Sequence, residues 1–272
     1  MQKIIAVLNH FDQSDLVLGR AVRLAKEQNA PLEVLFVYET PLFSLPDFFL
    51  RLEAKEKETI DKAKIKQEIE ERVRALGYNE AYAIFIFIDD TADRVAAHTH
   101  NETETLVVSA YQRTISEELA QTCRSPLLVL KGDQKEEKVI SLPVELNDYT
   151  EKCIEVAQTL FPESSIRLIY DNHYLTDKED NEAQKEAFEK LKAKTGLEGD
   201  YIEEFVWNEA DFGEDFDAME KHLLDRIEKN DSDLTIFCSS DGEFLYSEGV
   251  SLSLLHKVSG DILIFRYLSR SY

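Results

Sequence analysis

The sequence predicts an α/β fold in duplicate: two domains, each a five-stranded parallel sheet with helices on both faces. Three observations carry this. The first is internal repetition. Lys3-Ile4-Ile5-Ala6-Val7-Leu8-Asn9 is answered by Lys138-Val139-Ile140-Ser141-Leu142-Pro143-Val144-Glu145, and Thr105–Ser109 by Asp233–Cys238. The offset is 136 for Asn9 and Glu145 and 135 for Ser116 and Ser251. A near-constant offset along half the chain is the signature of duplication. The second is that the apolar runs are short and unbroken, as in strands buried on both faces of a parallel sheet. The third is that these runs alternate with stretches of helical periodicity, which is the βαβ order.

In the first half, Ile4–Leu8 reads as a strand, and Ser14 is placed to cap a helix with apolar positions Val17, Leu18, Ala21, Val22, Leu24 and Ala25. Leu32–Tyr38 is a second strand, followed by a loop marked by Pro41 and Pro46. A long charged helix is expected over Glu53–Leu76, with a stripe Ile65, Ile69, Val73, Leu76 and a stop at Gly77. Ala81–Ile88 is a third strand, Ala92–Asn101 a helix, Thr105–Ser109 a strand, Ile115–Cys123 a helix and Leu127–Lys131 a fifth strand. Gly132–Glu137 reads as a polar linker, so the predicted domains are 1–132 and 138–272.

The second half repeats the order. Its strands are expected at Ile140–Val144, Ile166–Tyr170, Tyr201–Trp207, Leu234–Cys238 and Ile262–Leu268. Helices fall near Thr150–Phe161, Lys178–Thr195, Phe216–Lys229 and Ser251–Val258. The stripe Phe216, Met219, Leu223, Ile227 is read as core. The acidic run Glu209, Asp211, Glu214, Asp215, Asp217 precedes a helix, where the dipole favours acids, and does not follow the spacing of a calcium loop.

The net charge is −23 over 272 residues, and it is uneven. Residues 1–135 carry 17 Lys and Arg against 22 Asp and Glu; residues 136–272 carry 14 against 32. Such a field repels phosphate backbones and anionic lipid heads, so neither nucleic acid nor a membrane surface is an expected partner. Nor does any run approach the roughly 20 apolar residues of a membrane span. The three cysteines, Cys123, Cys153 and Cys238, are an odd number without a Cys-x-x-Cys pair, and read as buried thiols in a reducing cytoplasm.

The motifs now resolve into a resemblance. Ile140-Ser141-Leu142-Pro143-Val144-Glu145 matches the opening strand of the universal stress protein family, which ends in an acid. Ile115-Ser116-Glu117-Glu118-Leu119 running on to Ser125-Pro126-Leu127-Leu128-Val129-Leu130 matches the family's closing helix and strand, and Val250–Leu255 running on to Asp261–Phe265 matches it again. The chain resembles that family in its tandem form. The resemblance implies two flavodoxin-like domains of the adenine nucleotide alpha hydrolase-like kind, a cytoplasmic stress-response role, and pairing of the two last strands, which makes the chain an internal pseudo-dimer. Association into a homodimer is left open.

The family's ATP-binding members carry G-x2-G-x9-G-[S/T] after the fourth strand, where backbone N–H groups cradle phosphates. In the first half Ala110 stands at the first glycine and the loop is about ten residues shorter, the length of an ordinary strand–helix connection. Thr114-Ile115-Ser116-Glu117 is expected there as a capping box. The second half keeps Cys238-Ser239-Ser240-Asp241-Gly242-Glu243 and Glu248-Gly249-Val250-Ser251, with Gly242 and Gly249 seven apart. Asp241, Glu243 and Glu248 put negative charge where a triphosphate belongs. The family's acid after the first strand is Asn9 in one half and Glu145 in the other.

The expected function is therefore a non-enzymatic stress-response protein with degenerate nucleotide sites, acting through an unidentified protein partner or small ligand, with no cofactor. The alternative is ATP or AMP binding in the second domain alone, through Glu145, Ser239, Gly242, Gly249 and Ser251. A weak ATP hydrolase ranks third, because no general base stands beside a positioned phosphate. No histidine has metal-ligand spacing, and His98-x-His100 reads as a solvated surface feature. P-loop, kinase and Gly-x-Ser-x-Gly motifs are absent. At the carboxyl ends of the strands, Asn9, Tyr38, Asp89 and Asp90 line one half, and Glu145, Tyr170 and Trp207 the other. Tyr170 and Trp207 raise the prospect of an aromatic pocket for a small molecule.

Overall fold

The computed structural model describes residues 1–39, 60–100, 102, 104–132, 137–147, 149–172, 178–203, 215–240 and 248–267, with the side chains of 172, 178–180, 203, 215–219, 239–240, 248–252 and 266–267 left aside. It divides into two compact units, Met1–Cys123 and Arg124–Tyr272.

The first unit contains β1 (Lys3–Leu8), α1 (Ser14–Glu27), β2 (Leu32–Tyr38), α2 (Lys62–Ala75), β3 (Tyr82–Ile88), α3 (Thr91–His98), β4 (Thr105–Ala110) and α4 (Arg113–Thr122). Its strands lie in the order β3-β2-β1-β4, all parallel. Ile5 registers with Glu33 on one side and Val107 on the other. β1 and β4 are buried almost throughout, which is why they read as unbroken apolar runs. All six predicted apolar positions of α1 are buried.

Local differences from the sequence reading have local causes. Ser14 is the first residue of α1 rather than its cap; its Oγ donates to the Phe11 carbonyl at 2.7 Å. α2 starts at Lys62 and is capped by Asp61, whose side chain accepts from Lys64 N at 3.0 Å, and the expected portion from 53 to 59 lies outside the described residues. Gly77 does end this helix, at φ +67°. His98 is not a solvated feature. Its Nε2 lies 2.9 Å from Glu33 Oε2, in a network where Lys3 bonds Glu102 at 2.7 Å and Glu33 at 3.4 Å. Its ring centroid is 4.9 Å from that of Phe85. The imidazole packs against the aromatic edge strand and also lies within hydrogen-bond distance of a carboxylate, a dual role that periodicity does not encode.

The second unit contains β5 (Leu127–Leu130), β6 (Val139–Pro143), α5 (Thr150–Leu160), β7 (Ser165–Asn172), α6 (Lys178–Thr195), β8 (Glu198–Glu203), α7 (Asp215–Lys229), β9 (Leu234–Ser240), α8 (Glu248–Lys257) and β10 (Asp261–Tyr267). Five strands run parallel in the order β10-β9-β6-β7-β8, and β5 pairs antiparallel with β10. That ladder sets Ile262 against Val129 and Ile264 against Leu127, so the two last strands of the repeats do pair. Both are buried, as an apolar edge requires. Asp261, fully buried, accepts the backbone N–H of Lys131 at 2.8 Å, while Lys131 Nζ donates to the carbonyls of His256 and Val258 at the end of α8.

β8 begins at Glu198, three residues before the predicted Tyr201, because Gly196 ends α6 at φ +69° and the strand follows at once. Gly199 hides the strand from a propensity reading. A Cβ there would lie 2.8 Å from both the Leu168 carbonyl and the Phe188 ring, so glycine lets α6 sit close on the sheet. Glu137, expected in a solvated linker, is 7% exposed and its carbonyl accepts from Ser164 Oγ. Of the predicted α7 stripe, Leu223 and Ile227 are buried.

Candidate functional site

In a doubly wound sheet the crevice lies at the carboxyl ends of the strands, where the strand order reverses. In the first unit that point is between β1 and β4. Asn9 follows β1, and only Tyr111 and Gln112 separate β4 from α4. The two side-chain amides close on each other: Asn9 Nδ2 donates to Gln112 Oε1 and Gln112 Nε2 to Asn9 Oδ1, both at 2.8 Å. Ser116, which matches the family's helix serine, is fully buried and its Oγ accepts the Gln112 backbone N–H at 2.9 Å. The helix N-cap is Gln112, not Thr114, so the predicted capping box is absent. Ser116 reaches back to the N-cap instead, because the short connection brings Gln112 directly over the first turn. Asn9, Gln112 and Ser116 thus each have a protein partner in this crevice.

Asp89 and Asp90, at the same edge, have partners within the unit. Asp90 caps α3 by accepting Asp93 N at 2.9 Å. Asp89 accepts from the Arg94 guanidinium, which stacks 4.5 Å from the Phe87 ring centre. Arg94's hydrogen bond holds the Asp89 carboxyl below its ordinary pKa.

In the second unit the reversal lies between β6 and β9. Glu145 follows β6, partly buried, and its Oε2 accepts Asn147 Nδ2 at 2.9 Å. Its carbonyl accepts Thr150 Oγ1, and Asn147 Oδ1 accepts Tyr149 N at 3.1 Å, which shapes the turn into α5. Ser239 lies on β9 in register with Arg266. Gly249 and Ser251 lie in the first turn of α8. Gly242 and the rest of the loop at 241–247 lie outside the described residues, as does Trp207. Tyr170 is not free to line a pocket. It is 6% exposed, donates its hydroxyl to Gln184 Oε1 at 2.6 Å, and packs on Phe188 and Tyr201 at 5.8 and 5.4 Å.

The reading of three thiols is corrected. Cys153 and Cys238 form a disulfide, joining the first turn of α5 to β9, while Cys123 remains a buried thiol. A separation of 85 residues concealed the pair. The repeat itself held the signal. Cys153 corresponds to Val17 and Cys238 to Ala110, two buried residues on neighbouring elements of the first unit. Gln112 and Asn147 also escaped notice, since neither belongs to a motif. Among the described residues no cluster of three or more His, Cys, Asp or Glu could hold a metal ion, and no helix is long and apolar enough to cross a membrane.

This geometry defines an α/β protein with a mostly parallel sheet, in whose first unit an amide pair bridges the ends of β1 and β4. The model of the universal stress protein family matches residues 1–131 of this chain. No curated protein matches the chain. Among solved structures, a functionally unknown protein from Pseudomonas aeruginosa PAO1 is similar at a TM-score of 0.68 and 14% identity, covering 98% of this chain and 92% of that one. A universal stress protein from Archaeoglobus fulgidus is similar at 0.66 and 12% identity, covering 97% and 98%. At such identities the likeness is one of fold.

Proposed function

We propose that this chain is a non-enzymatic stress-response protein with degenerate nucleotide sites, acting in the cytoplasm by binding a protein partner or small ligand. The second unit is read as a diverged copy of the first, in a tandem chain that is its own pseudo-dimer. The observation that carries the reading is the reciprocal Asn9–Gln112 amide pair across the β1–β4 crevice. It stands where a nucleotide would need an acid and a glycine loop, and a two-residue connection leaves no phosphate cradle. A net charge of −23 favours a basic partner over an anionic one.

The second reading, ATP or AMP binding by the second unit alone, is favoured by Glu145, which keeps an acid at the β6–β9 reversal, together with Ser239, Gly242, Gly249 and Ser251. Native mass spectrometry with ATP, AMP and magnesium separates the two. A bare-chain mass under all conditions is the expected result. One nucleotide per chain would establish the second reading, and two would overturn the argument from the amide pair. Phosphate release would point to hydrolysis.

A further inference from the structure

We infer that the Cys153–Cys238 disulfide is a reversible thiol-exchange clasp that fastens α5 to β9 in the second unit. The inference stands apart from any nucleotide reading. The bond spans the reversal point: α5 leaves the end of β6, while Cys238 lies on β9, beyond the stretch where β9 pairs with β6. Packing does not require it. The first unit fills the same two positions with Val17 and Ala110, 1% and 4% exposed. What the cysteine pair adds is a bond that can be made and broken.

The two sulfurs differ in the way exchange chemistry uses. Cys153 is 2% exposed and sits in the first turn of an eleven-residue helix, whose N-terminal dipole stabilises a thiolate. Cys238 is partly exposed near the end of its strand. An external monothiol of the glutathione class, as thiolate, attacks the sulfur of Cys238. The S–S bond breaks and its electron pair leaves on Cys153. A second thiolate then attacks the external sulfur of the mixed disulfide and releases Cys238. The balance is two electrons and two protons taken up by the protein, and one external disulfide formed. Cys123, buried on the first unit, takes no part, so the oxidised chain carries one thiol and the reduced chain three.

The test uses the whole chain. It is equilibrated in mixtures of reduced and oxidised glutathione, quenched with acid, alkylated with a maleimide in denaturant, and weighed. The expected result is a reversible passage from one label to three with a midpoint inside those mixtures. Hydrogen exchange over 144–160 should rise at least tenfold in the three-thiol form. The double variant Cys153→Val, Cys238→Ala copies the first unit's pair; it should carry one label in every mixture and match the exchange of the reduced chain. One label persisting in excess reduced glutathione would make the bond a fixed crosslink and overturn the inference. Three labels in oxidised glutathione, or equal exchange in the two forms, would overturn it as well.

Discussion

Asn9 and Gln112 show how much a single pair can decide. Each amide uses its donor and its acceptor on the other. Replacing Asn9 by Asp restores the family's acid yet removes a donor, so Gln112 keeps one bond at most. We expect Asn9→Asp to cost about 1 kcal/mol, the net worth of one such bond, and to leave ATP binding by the first unit undetectable by calorimetry. Gly260 is a second decisive residue. A Cβ there would stand 2.7 Å from the Ser232 and Asp233 carbonyls. Gly260→Ala should destabilise the second unit by about 1–3 kcal/mol, read from its amide protection in urea. Residue-scale features were the least legible in the sequence. Glu145 and Asn9 could be placed by alignment of the repeats, but Gln112, Asn147 and the contacts of His98 depend on what the fold sets beside them.

At the scale of elements the sequence was more informative. Strands β1, β2 and β4 and helices α1 and α6 fall where apolar runs and periodicity put them, because each buries a continuous face. β8 was displaced because its glycine serves Phe188 rather than strand propensity. Two charged groups give pH responses at the two ends of the scale, both in the same direction. Lys131, at the end of β5, is pushed down to about 8 by burial, which outweighs the nearby Asp261 carboxylate. The folded state thus releases its proton before the unfolded chain does. Between about pH 8 and 10.5 the unfolded state binds more protons, and stability rises with pH through that window. In Lys131→Met that rise should vanish from the unfolding curves. At the other end, burial opposes the Glu102 charge, but the Lys3 ammonium together with the Thr105 hydroxyl and His98 offsets this, so its carboxyl lies below the ordinary value of 4.5. That stabilisation is present above pH 4.5 and is lost as pH falls through the lowered value. Lys3→Met should flatten the acid limb.

For the molecule as a whole, the mostly parallel α/β architecture was legible from the alternation of unbroken apolar runs with helical periodicity. The partition was less so. β5 belongs by sequence to the first repeat but clusters with the second unit, because its ladder is to β10. Charge sets a further expectation. With 54 acidic against 31 basic residues, the folded chain repels itself. Raising sodium chloride from about 0.01 M to 0.15 M shortens the screening length from about 30 to 8 Å and should raise the melting temperature in calorimetry.

The two-residue link between β4 and α4 also bears on how the repeats can change over evolutionary time. A glycine lost by point mutation can be regained by point mutation, so a crevice that differs only in its side chains stays within reach of its ancestor. The first repeat lacks length, not just glycines, and its closing amides and buried Ser116 fit the shortened path. Substitution alone offers it no way back. On the proposed reading, a lineage gaining phosphate chemistry would start from the second unit rather than from this one.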